Sequence, residues 1–67
     1  MMQHVTKKIK KMMIDRDISG AEIARRENVD RSLVNKVINN KTGSKRVRRA
    51  IARELRVDVS EFWPEAA

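Results

Sequence analysis

The chain has no cysteine and no tyrosine, and only one phenylalanine, one tryptophan, two glycines and one proline. Each scarcity removes a class of explanation. Without cysteine there are no disulfide staples and no thiolate metal sites, so stability has to come from packing, and a reducing interior is permitted. With aromatics at 3%, the stacking platforms that hold single-stranded nucleic acid are missing, which leaves a duplex as the better-suited polymer. The sequence offers no phosphate-cradling glycine loop, no paired carboxylates in an apolar setting and no base beside Ser19, Ser44 or Ser60 to activate them. An enzyme is therefore not expected, nor a cofactor, nor a small-molecule substrate. Lone His4 has no Cys and no second His to share a metal ion. No apolar run approaches the roughly 20 residues of a membrane span, and Met12, Met13 and Ile14 are too short a block for the apolar region of a signal peptide. The expectation is a soluble, cytoplasmic protein with no membrane partner.

What the chain does have is positive charge. Lys and Arg number 16 against 9 Asp and Glu, for a net charge of +7 and a pI near 10.6. That balance favours polyanions such as DNA, RNA or an anionic membrane surface. The charge is uneven: residues 31–56 hold nine basic residues and one acid, Glu54, whereas from Val57 onward only Asp58, Glu61 and Glu65 are charged. Such polarity is how a phosphate-binding footprint looks. At 67 residues the chain reads as one domain, 1–67, and a chain of that size buries only about 60% of its unfolded surface. We expect a small, all-α core.

The organising stretch is residues 19–39, where two short helical patterns meet across a break that only a sharp turn can span. Ser19 is a good N-cap and Glu22 stands three residues on, as in a capping box. The helix so begun starts at Gly20, turns Ile23 and Ala24 inward and ends near Glu27. Asn28 tolerates the left-handed conformation of a helix exit, which predicts a turn at Asn28 and Val29. Asp30 caps the next helix. There Val34, Val37 and Ile38 recur at three- and four-residue steps, while Arg31, Ser32, Asn35, Lys36 and Asn39 fall outside the stripe.

The remaining segments read as support. Val5, Ile9, Met12 and Met13 keep helical spacing from Val5 to about Asp15, with Lys7, Lys8, Lys10 and Lys11 forming a solvated face rather than a second nucleic-acid contact. Ile18, just ahead of the Ser19 cap, can staple the next helix to the core. Residues 39–43 collect turn formers. Ser44 then caps a helix in which Val47, Ile51 and Leu55 run at four-residue intervals, ending near Arg56. Ser60 caps a last turn that brings Phe62 and Trp63 to close the core, and Pro64 stops it. There is no internal repeat, low-complexity run or linker.

A helix propped by a second one across a tight turn is what reaches base edges in the major groove of B-DNA, about 12 Å wide. Through Ala24, Val29, Val34 and the ending Asn39-Asn40-Lys41, the sequence resembles the Cro-type, lambda-repressor-like helix-turn-helix family from about Ile9 to Trp63. Ala50, Ile51, Ala52, Leu55, Val57 and the Phe62-Trp63-Pro64-Glu65 ending look most like the Ner-like regulators of transposable phages within that family. Two departures stand out: Gly20 where the family often has a phosphate-bracing Gln, and Asn28 where the turn often has Gly. The resemblance implies a compact four- to five-helix domain with a central helix-turn-helix. It also implies that Arg31, Ser32, Asn35, Lys36 and Asn39 face double-stranded DNA from the recognition helix, about residues 30–39.

The chemistry of these residues agrees. Arg31 and Lys36 can donate to guanine O6 and N7, Asn35 or Asn39 can bond adenine, and Ser32 serves base or phosphate. Ser19 and the free N–H groups at Gly20 and Ala21 would meet a phosphate, with Lys41, Lys45 and Arg46 gripping the backbone nearby. Leu33 is open between a thymine methyl, a partner subunit and the core edge. The reading is a sequence-specific transcriptional regulator, a repressor of phage or prophage type. Its rivals are a basic helical module for RNA, an anionic membrane or a protein partner, as in an antitoxin. One recognition helix gives limited specificity, which favours a homodimer on a palindrome, yet no long apolar seam is left for one.

Overall fold

The computed structural model describes residues 2–64, with side chains from Val5 onward; the side chain of His4, and Glu65 of the C-terminal motif, lie outside the described residues. Four helices follow one another, α1 Met2–Asp15, α2 Gly20–Glu27, α3 Arg31–Ile38 and α4 Lys45–Glu54, and a 3-10 turn at Val59–Glu61 comes after them. No strand occurs among the described residues. The starts follow the local chemistry. Ser19 Oγ accepts from the Glu22 N–H at 3.1 Å, and Ser44 Oγ accepts from the Val47 N–H at 3.4 Å. Asp30 occupies the cap of α3, but through its backbone carbonyl, which accepts from Leu33 and Val34; its exposed carboxylate makes no cap bond.

All four helices leave by the same route, with one left-handed residue that is not glycine: Asp17, Asn28, Asn40 and Arg56, at φ 56°, 58°, 61° and 57°. Each exit closes with the paired reverse bonds of a Schellman motif. After α2, for example, the Val29 N–H donates to Ala24 O at 3.0 Å and the Asn28 N–H to Arg25 O at 3.3 Å. At three exits the closing residue is apolar, and Ile18, Val29 and Val57 pack against the core. The fourth, after α3, closes instead on exposed Lys41.

One hydrophobic cluster joins the helices. Ile9 of α1, Val34 and Val37 of α3, and Val47, Ile51 and Leu55 of the α4 region are all at 0% exposure. Burying a side chain of this size contributes about 1.5–3 kcal/mol. The α2–α3 pair packs most extensively, with Ala24 buried between its neighbours where a larger side chain would hold them apart. Phe62 and Trp63 close the base edge to face, 5.6 Å between centroids at 78°, and the Arg48 guanidinium lies 5.2 Å from the centre of the Trp63 ring. Leu33 packs against the edge of the core.

Three expectations are corrected. Helix α1 starts at Met2, not Val5, because Met2 and Gln3 are good helix formers and each added residue gains a bond once a nucleus exists. Helix α4 stops at Glu54, short of Arg56, since Arg56 itself is the left-handed exit. Ser60 does not cap the last turn: Asp58 precedes it and Ser60 lies inside it.

Candidate nucleic-acid interface

Helix α3 spans eight residues, about 12 Å at 1.5 Å per residue, and it is held from below and finished at its end. Val34 and Val37 are fully buried, while Arg31, Ser32, Asn35, Lys36 and Asn39 are all exposed along the other side. Its last four carbonyls, the groups a helix normally leaves orphaned, are each satisfied. Asn35 O accepts from the Asn39 N–H at 2.9 Å, Lys36 O from Lys41 at 2.7 Å and Val37 O from Asn40 at 3.0 Å. Ile38 O accepts from the Thr6 hydroxyl at 2.8 Å, a bond across 32 residues that ties α1 to the end of α3. An element so fixed presents its outer side chains from a rigid base.

The residues expected at the interface separate into groups. Ser19, Gly20, Asn35 and Asn39 line one open cleft. A Cβ on Gly20 would stand 3.4 Å from Asn35 Oδ1, an ordinary van der Waals contact, so the start of α2 lies against the middle of α3. Asn39 is exposed, and its amide nitrogen donates to Asn35 O at 2.9 Å, which engages one of its two amide hydrogens within the helix. Arg31, Lys36, Lys41 and Lys45 are exposed and meet no carboxylate among the described residues.

Arg46 is placed differently. Its Nη2 donates to Glu27 O at 2.6 Å, and its Nε lies 3.6 Å from Glu27 Oε1. It therefore sits at the end of α2 opposite to Ser19. Arg53 reaches the same carboxylate at 2.6 Å, and Arg26 joins Glu54 at 2.5 Å and Glu22 at 2.9 Å. The hydrogen bond to Glu54, and then the charges of Glu54 and Glu22, hold the Arg26 guanidinium above its usual pKa. Glu22 is a local i,i+4 partner within α2, but the pairings of Arg26 with Glu54 and of Arg46 and Arg53 with Glu27 join α2 to α4 and are not visible in a charge count taken segment by segment. Thr6 carries no sequence signal at all for its bond to Ile38.

Among the described residues no group of three or more His, Cys, Asp or Glu could hold a metal ion, and no helix is long and apolar enough to cross a membrane. An exposed, carboxylate-free helix row set by a second helix across a tight turn defines a helix-turn-helix nucleic-acid-binding domain. The comparison with protein families makes this specific: residues 8–63 match the family described as Cro/C1-type HTH DNA-binding domain, and the chain belongs to it. Double-stranded DNA is the partner that membership implies. Comparison with curated proteins and with solved structures finds no match for the chain.

Proposed function

We propose that the protein is a transcriptional repressor of the Ner-like phage kind, acting within the cell by laying α3 into the major groove of a specific operator and blocking polymerase access. It carries out no chemistry of its own. The observation that supports this most is the outer row of α3, in which Arg31, Ser32, Asn35 and Lys36 are exposed on a helix whose Val34 and Val37 are at 0% exposure. These types supply what base edges recognise: Arg or Lys for guanine, Asn for adenine. The positive charge of Lys41 and Lys45 supplies the sequence-independent share of affinity.

Selection of bound duplexes from a random pool tests the reading and reports site length and symmetry together; a palindromic site would favour a homodimer on DNA. On the selected site, Arg31→Ala or Asn35→Ala should cost about 1–3 kcal/mol, and much less on random DNA. A pool that yields no preferred sequence, or equal losses on both duplexes, would remove base reading from these residues.

A further inference from the structure

The lysines of α1 divide by what they face. Lys8 lies 4.0 Å from Glu61 Oε2 and 6.0 Å from the centre of the Phe62 ring, on the side of the 3-10 turn. Lys10 lies about 200° further round the helix, on the rim of an open cleft of about 460 Å³ that it shares with Ser19, Gly20, Asn35 and Asn39. The rotation of α1 that puts it there is set by the Thr6–Ile38 bond, since residues four apart stand one above the other on a helix. Lys10 is exposed and pairs with no carboxylate among the described residues.

The cleft has an apolar floor in Met13, Ile18 and Ile38, and Ile14, 78% exposed, stands on its lip. A cation on the rim of an apolar channel beside the recognition row matches a DNA strand, which alternates anionic phosphates with apolar deoxyribose. A free anion would make no use of the floor. We propose that Lys10 is a further DNA-contacting residue, binding a backbone phosphate of the strand that crosses this cleft, so that α1 and α3 share the interface. The assignment rests on the duplex-DNA reading of α3. As a point charge on a flexible stem, Lys10 adds affinity and fixes orientation without adding sequence preference.

The test compares Lys10→Gln with Lys8→Gln in the full chain, measuring affinity against salt on the selected duplex and on a random one. Lys10→Gln should lower the slope of log K against log salt by about 0.9 and weaken both duplexes by the same factor, roughly tenfold near 0.1 M salt. Lys10→Arg should restore the slope, and Lys8→Gln should leave it as in the parent. If the parent binds its selected duplex and Lys10→Gln keeps the parent slope, or if the two Gln variants lose equally, the Lys10 assignment falls alone. If the parent binds no duplex, the DNA reading falls with it.

Discussion

On the α2–α4 side, Arg26, Arg46 and Arg53 each meet a carboxylate, and the acids concerned are the better-buried partners: side-chain exposure is 16% for Glu27 and 19% for Glu54, against 65% for Arg46 and 66% for Arg53. On the α3 side, Arg31, Lys36 and Lys41 are just as basic and meet no acid among the described residues. The first arrangement uses charge to fasten one helix to another, with the Glu27 carbonyl at the end of α2 as an added acceptor. The second leaves charge free for a partner. The difference shows that a basic composition is not a basic surface: charge acts on a distant polyanion only to the extent that no fixed carboxylate already neutralises it.

Charge reversal is the sharpest way to break this comparison. Lys36→Glu should weaken duplex binding by roughly a hundredfold near physiological salt, whereas Arg53→Glu should cost far less. Fluorescence anisotropy on one labelled duplex measures both, and equal losses would erase the distinction between the two sides.

Glu27→Ala tests the fastening role. It removes the carboxylate that Arg46 and Arg53 share, while Arg46 keeps its bond to the Glu27 carbonyl, so stability should fall by about 1 kcal/mol, a decrease in Tm of about 4–8 °C for a domain of this size. Duplex affinity should hold or rise, because Arg46 and Arg53 then add to the outward field; a loss of affinity would mean that the α2–α4 contacts position α3.

The smallest effect concerns the end of α4. Arg56 adopts a left-handed conformation that costs an L-residue with a β-carbon on the order of 1–2 kcal/mol. Arg56→Gly should therefore raise stability by about 0.5–1 kcal/mol after the greater freedom of glycine in the unfolded chain is counted. Urea unfolding midpoints measure the gain. Duplex affinity should move by no more than about twofold, since Arg56 lies outside the recognition row of α3 and exposed charges are screened beyond roughly 10 Å.

Where local chemistry decides, the sequence was legible. Ser19, Ser44 and Asn28 do what their side chains suit them for, and the stripe of Val34, Val37 and Ile38 is buried as its spacing implies. The outward row of α3 followed from the same spacing, because a helix fixes which residues share a face. What escaped were partnerships between residues far apart in the chain. Arg46, expected to grip the DNA backbone, also bonds Glu27, 19 residues away. Lys10, on the solvated face of α1, is exposed and lines the cleft that also holds Asn35 and Asn39.

The sequence by itself determined the helices, the Ser19 and Ser44 caps, the turn between α2 and α3, and the side of α3 that faces out, since all of these depend on interactions within a few residues. Only the tertiary structure decided which cations are neutralised and which are left for a ligand, and which lysine of α1 joins the recognition side. Those outcomes depend on how helices rotate and approach one another, and that is set by core packing and by single long-range bonds such as Thr6 to Ile38, to which no periodicity in the chain points.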